Sequence, residues 1–160
     1  DEMKKLNLVK KDISAREVRA KSNDPKNAIL DIQEYDASSW KEYFLQFIDP
    51  NDRTIFSLLR LRIPSTIFNQ EKHFITELQD TAIVREVHTF GDQLRIWEQS
   101  DGTGQHMWFG KRLLAKAEEI IKDNYPNIKK IAVISWVWVR QYYEHRGYCL
   151  EGEYMVKKFD

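Results

Sequence analysis

Gln105-His106-Met107-Trp108-Phe109-Gly110-Lys111 precedes an amphipathic run, Arg112-Leu113-Leu114-Ala115-Lys116-Ala117-Glu118-Glu119-Ile120-Ile121. The apolar residues recur at helical spacing, so the heptapeptide reads as a loop that feeds the N-terminus of a helix. Such a place suits phosphate, because the first-turn N–H groups lack intrahelical acceptors and the positive end of the dipole faces the anion. Close approach of backbone to phosphate favours glycine. One glycine is present, Gly110, and Trp108 stands where a second is expected. The stretch therefore carries the plan of a nucleotide-type cofactor site together with an obstruction inside it.

On the N-terminal side, residues 82–90 alternate apolar and polar as a strand does, and residues 91–104 form a polar loop containing Asp101-Gly102. On the C-terminal side, the helix is expected over residues 111–124 and ends before Pro126. Residues 130–137 are apolar apart from Lys130 and Ser135, which predicts a buried central strand. Together these make a βαβ-like unit with its phosphate-binding end at residues 105–111.

The flanks add an α/β frame. Residues 28–35 read as a strand or a short helix. Residues 41–47 and 54–63 read as a hairpin around the turn cluster Asp49-Pro50-Asn51-Asp52, closed by Pro64-Ser65. Residues 139–146 have helical character and stop at Gly147, a residue suited to the left-handed position after a helix. Residues 148–159 read as a final strand pair. No repeat, linker or low-complexity segment divides the 160 residues, so one domain is expected, with a basic leading segment over residues 1–27 and a core over 28–160.

Composition narrows the function classes. Charged residues make up 31% and apolar residues 42%, which suits a folded soluble chain. No apolar run approaches the roughly 20 residues of a membrane span, so no membrane partner is expected. Cys149 is the one cysteine, so neither a disulfide framework nor a cysteine metal cluster is expected, and a reducing cytoplasmic setting fits. Net charge is zero, yet within residues 3–21 Lys4, Lys5, Lys10, Lys11, Arg16, Arg19 and Lys21 face only Asp12 and Glu17. That segment is either a solvated arm or a contact to nucleic-acid phosphates.

Several motifs in order give the chain a family resemblance. Asp12-Ile13-Ser14-Ala15-Arg16-Glu17-Val18, Leu58-Leu59-Arg60-Leu61-Arg62, Ile83-Val84-Arg85-Glu86-Val87-His88, Gln105-His106 with Phe109-Gly110, Lys130-Ile131-Ala132-Val133-Ile134-Ser135, Val139-Arg140 with Tyr142-Tyr143, Gly147-Tyr148, and Glu153-Tyr154-Met155-Val156-Lys157 span almost the whole sequence. With these the chain closely resembles the C-terminal acetyltransferase-like domain of the Elongator catalytic subunit family, within the Gcn5-related N-acetyltransferases. The resemblance implies an α+β fold: a mixed, mostly antiparallel sheet flanked by helices.

It also implies acetyl-CoA as cofactor and carboxymethyl-type modification of the tRNA wobble uridine as the function. Glu86, Val87, His88 and Thr89 would line the acetyl and pantetheine arm. Gln105, His106, Phe109, Gly110 and Lys111 would meet the pyrophosphate. Tyr142 and Tyr143 would border the thioester, with Tyr143 and His88 as the catalytic candidates. No metal ligand is implied. The implied partners are tRNA, the radical-SAM domain of full-length family members, for which this chain has neither the cluster cysteines nor the room, and further Elongator-type subunits.

The residues also permit duller readings: Glu86 and His88 as one face of a strand, one of the two tyrosines as core, Cys149 as a small hydrophobe. Family members show glycine where this chain has Trp108, Trp136 and Trp138, and small residues near Trp40 and Trp97. Relatives often carry cysteines near residues 10–15, and this chain has none there. A Trp side chain brings about 150–250 Å² of surface, so the set is expected to narrow or close the cofactor cleft, whether the sequence was altered or diverged. The alternatives are a cofactor-dead tRNA-binding module and a protein lysine acetyltransferase.

Overall fold

Ser38 and Ser39 both take positive φ, 51° and 70°. Positive φ at both central positions of a two-residue loop matches the right-handed twist of the flanking strands. This turn joins β1 (Ile29–Ala37) to β2 (Trp40–Ile48), which pair antiparallel from Ile29↔Ile48 to Ala37↔Trp40. In the computed structural model the described residues are 13–17, 25–90 and 109–159.

The remaining strands are β3 (Ile55–Ile63), β4 (Thr81–Thr89), β5 (Lys130–Ile134), β6 (Cys149–Glu151) and β7 (Tyr154–Lys158). They form one seven-stranded sheet in the order β1-β2-β3-β4-β5-β7-β6. Every pairing is antiparallel except β4 with β5. Parallel neighbours need a crossover, and helix α3 (Phe109–Asn124) lies between them in sequence. The shorter helices are α1 (Ile13–Arg16), α2 (Ser65–Asn69) and α4 (Arg140–Glu144). This is the mixed, mostly antiparallel α+β architecture that the motifs imply.

The core follows from side-chain period. On α3, Phe109, Leu113, Leu114, Ala117, Ile120 and Ile121 are buried, a stripe at helical spacing. It packs on Tyr43, Leu45 and Phe47 of β2, Leu59, Leu61 and Ile63 of β3, and Ala82 and Val84 of β4. Residues one step out of phase face the other side of the sheet. There Phe44, Ile48, Ile55 and Leu58 form a smaller cluster with Ile13 of α1 and Phe90. Of the basic leading segment, residues 13–17 and 25–27 are described; Arg16 donates to the Arg53 carbonyl at 3.1 Å and to Gln46 at 3.0 Å.

Helix α4 ends as Gly147 predicts. Gly147 has φ 82°, its N–H donates to the Glu144 carbonyl at 3.0 Å, and the Tyr148 N–H donates to the Tyr143 carbonyl at 3.2 Å. That pair of bonds satisfies carbonyls which the helix leaves without partners.

The sequence expectation for residues 130–137 needs correction. Ile131, Ala132 and Val133 are buried, but β5 stops at Ile134, and Val137–Val139 form a 3₁₀ turn. The apolar run outlasts the strand because pairing with β4 ends at Val84↔Val133 and pairing with β7 ends at Ile134↔Tyr154, and beyond these no strand runs beside it among the described residues. Ile134, Trp136, Val137 and Trp138 are accordingly 64–71% exposed.

Candidate active site at the β4–β5 gap

Strand β4 carries one extra residue. Arg60 pairs with Glu86, but the next pair is Leu61 with Val84, so Arg85 is bulged out of the ladder. A one-residue slip moves every later side chain to the opposite face. Ala82 and Val84 point to α3 before the bulge; after it Val87 packs on the same core and Thr89 reaches the same side. Glu86 and His88 face away. Glu86 lies 3.4 Å from Arg60 Nε without hydrogen-bond alignment. His88 stacks on Phe90, with ring centroids 4.3 Å apart. The His88 carbonyl accepts from Ser57 Oγ at 3.0 Å, and Ser57 Oγ also meets Thr89 Oγ1 at 3.0 Å.

The same strand outruns its parallel partner. β4 and β5 pair over Thr81↔Lys130 to Val84↔Val133, and β4 continues to Thr89. On that side residues 85–89 have no strand partner among the described residues. An open strand edge can take an extended amide chain by backbone hydrogen bonding.

The N-terminus of α3 closes one end of this gap. Phe109 is 2% exposed and stacks on Phe47, with centroids 4.5 Å apart, which pins the first turn to the sheet. Gly110 follows. A Cβ there would lie 3.2 Å from Tyr142 Oη, 3.8 Å from Thr89 Oγ1 and 4.0 Å from Val87 Cγ1. The absence of a side chain at 110 therefore lets α4, β4 and α3 converge at the helix start. The first turn holds no acid, while Lys111 is exposed and Arg112 stacks over the Phe47 ring at 4.4 Å. Backbone dipole and side chains there favour an anion.

The two adjacent tyrosines divide. Tyr142 is half-buried, and Arg146 covers its ring at 3.5 Å. The same Arg146 donates to the Tyr142 carbonyl at 2.5 Å. Burial raises the Tyr142 phenol above its ordinary pKa, and the Arg146 charge opposes part of that rise. Tyr143 is buried in the core, edge-on to Tyr142 and Tyr148 at 5.1 and 5.6 Å. Burial, reinforced by Tyr142, pushes its phenol up to about 12. Both rings hold their protons at neutral pH.

Thus Val87, Thr89, Gly110 and Tyr142 meet, with Phe109 beneath and Tyr143 behind. Glu86 and His88 contribute backbone to the open edge while their side chains lie across the sheet. Gln105, His106, Trp97 and Trp108 fall outside the described residues. Arg146 and the Arg85 bulge were not singled out from sequence. The i, i+4 spacing of Tyr142 and Arg146 is the signal for the first; a bulge leaves none in a pattern that alternates on both sides of it.

Trp136 and Trp138 lie parallel within 6°, with ring centroids 5.2 Å apart, and are 71% and 68% exposed. They occupy no interior volume. Among the described residues no three His, Cys, Asp or Glu side chains come together to hold a metal, and no helix is long and apolar enough to cross a membrane.

No family model matches the chain. It is 39% identical over 130 residues to the tRNA uridine(34) acetyltransferase of Dehalococcoides mccartyi, covering 79% of this chain and 27% of that protein. It is 36% identical over 160 residues to Elongator complex protein 3 of Saccharomyces cerevisiae, covering 98% and 28%. The chain therefore spans under a third of the length of the curated relatives it matches. An N-terminally deleted archaeal Elp3 from Methanocaldococcus infernus shares the fold with TM-score 0.75 and 33% identity, over 99% of this chain and 37% of that one. By sequence and fold the chain belongs to the Elongator complex protein 3 and tRNA uridine(34) acetyltransferase family, and it corresponds to the C-terminal domain.

Proposed function

We propose that this chain is an acetyl-CoA-binding acyltransferase-type domain that takes part in modification of the tRNA wobble uridine. The observation that carries the reading is the convergence of Gly110, Tyr142, Thr89 and Val87 beside the open edge of β4. The donor set fits the group. Residues 85–89 offer strand backbone to an extended pantetheine arm, the first-turn amides of Phe109, Gly110 and Lys111 suit a pyrophosphate, and a Cβ at Gly110 would crowd that cradle. Acetyl-CoA supplies an activated acyl thioester when bound. Tyr143 Oη, kept protonated by burial, holds a proton suited to a departing thiolate. Tyr142 and its Arg146 cover shape the wall between α4 and α3.

His88 in this reading acts through its backbone, with its ring on the far face of the sheet beside Phe90. The weakening of acetyl-CoA binding that the tryptophans imply is assigned to Trp108, because Trp136 and Trp138 stand outside the core. Partners in the same reading are tRNA, a radical-SAM domain of the kind full-length family members carry, and further Elongator-type subunits, in a cytoplasmic setting. A cofactor-dead tRNA-binding module is the second reading, favoured by the tryptophans at glycine positions of the family pattern. Calorimetric titration with acetyl-CoA, coupled to a free-thiol assay with and without tRNA, separates the two. Heat and thiol release support the first; their absence even after Trp108, Trp136 and Trp138 are changed to Gly sinks it.

A further inference from the structure

Ile134 at the end of β5 and Trp136, Val137 and Trp138 just after it form an exposed aromatic and aliphatic patch where the β4–β5 gap opens. Large exposed apolar patches mark contact sites, and the shape of this one is specific. Two indoles parallel within 6° and 5.2 Å apart present a flat, extended π-surface rather than a pocket. A flat aromatic surface suits a planar heterocycle, since every nucleobase has a π-face. Arg140 follows two residues after Trp138, with no acid from residue 131 to residue 143, and the first turn of α3 adds Lys111 and Arg112; Glu144 is the first acid beyond the run. Cations beside a stacking surface match a phosphate backbone better than an apolar protein partner.

Helical spacing locates the patch. Trp138 precedes Tyr142 by four residues through the continuous 3₁₀–α segment, which places it one turn along the same side. The Tyr142 hydroxyl in turn lies 3.2 Å from the Cβ position of Gly110. The tryptophan pair therefore borders the mouth of the gap rather than its interior.

We infer that the Trp136–Trp138 stack is a platform on which an unpaired RNA base is held at the mouth of the β4–β5 gap. The inference rests on the RNA-directed reading above and gives the tryptophans a role other than obstruction. An unpaired base stacks on an outer indole face, while Arg140 and the first-turn cations of α3 face its phosphates.

The test uses the full 160-residue chain. Binding of a fluorescent single-stranded oligouridylate and of a blunt RNA duplex with the same number of phosphates is measured across a salt series, with acetyl-CoA titrated in parallel. The variants are W136A/W138A and W136F/W138F. Both positions are exposed, so folding is checked simply by melting. Single-strand affinity is expected to fall about tenfold to hundredfold in the alanine pair and to recover largely in the phenylalanine pair. The salt slope and duplex binding stay unchanged, because stacking and phosphate contacts are separate contributions. Equal single-strand affinity in the wild type and the alanine pair overturns the platform. So does a loss confined to acetyl-CoA, or a wild type that binds no single strand. In each case the parallel acetyl-CoA titration scores the acyltransferase reading independently.

Discussion

The hydroxyl of Tyr142 stands 3.2 Å from the point that a Cβ on Gly110 would occupy. One missing side chain thus joins α4 to the start of α3. Gly110→Ala separates stability from binding. Alanine gains about 1 kcal/mol of helix propensity over glycine, and the far end of the tyrosine can shift by a few tenths of an ångström. The melting temperature is expected to hold or rise, while acetyl-CoA affinity falls about tenfold as the cradle fills. Calorimetry on G110A and G110A/Y142F checks this, with the second variant recovering part of the loss.

Tyr143 is the proton donor of the proposed reaction, and its phenol is pushed up to about 12 by burial. It stays protonated across the working range, so no basic limb assignable to it is expected below about pH 10. Tyr143→Phe keeps the ring contacts with Tyr142 and Tyr148 and is expected to lower thioester cleavage about 10²–10⁴-fold with little change in acetyl-CoA affinity. A pre-steady-state thiol assay reads the rate directly.

Glu42 supplies the clearest pH dependence in the sheet. Its side chain is 4% exposed. Burial alone would raise its pKa, but hydrogen bonds from Arg62, Tyr35 and Arg85 together hold it below the ordinary 4.5. Because the folded value is the depressed one, the stabilisation is complete above the unfolded pKa and is lost as pH falls from about 4.5 through the folded value. Glu42→Ala leaves two arginines without their shared carboxylate and is expected to cost about 3 kcal/mol at neutral pH. Urea unfolding of both proteins at pH 7 and pH 3 should show the gap narrowing in acid.

Deleting Arg85 removes the extra residue: Glu86 then follows Val84 directly, still opposite Arg60, so residues 86–89 keep their faces and Val87 keeps its core contacts. The expected loss is about 1 kcal/mol or less, that of the partly exposed Arg85–Glu42 ion pair. Arg85→Ala keeps the residue count and gives up only a half-exposed ion pair, worth about 1 kcal/mol or less. Thermal melts of the two variants separate the bulge itself from the charge, and similar losses are expected.

Much of this architecture was legible along the chain because it rests on local periodicity. The stripe from Phe109 to Ile121 could only be a one-faced helix, the alternation before Phe90 a strand, and Gly147 the stop after α4; each is a matter of side-chain spacing or backbone freedom within a few residues. The family motifs placed these elements in order. Three features depended on neighbours far away in sequence. The apolar run after Ile134 reads as more strand, but a strand persists only where a partner runs beside it, and β4 has already diverged. The faces of Glu86, Val87, His88 and Thr89 hang on a single bulged residue, which the ladder with β3 imposes and the alternation conceals. The choice of Tyr142 for the helix start and Tyr143 for the core was made by the packing of α4 against Gly110 and Tyr148. Sequence periodicity determined which elements form; only the pairing of distant strands decided where they part, which face they show, and so where the gap lies.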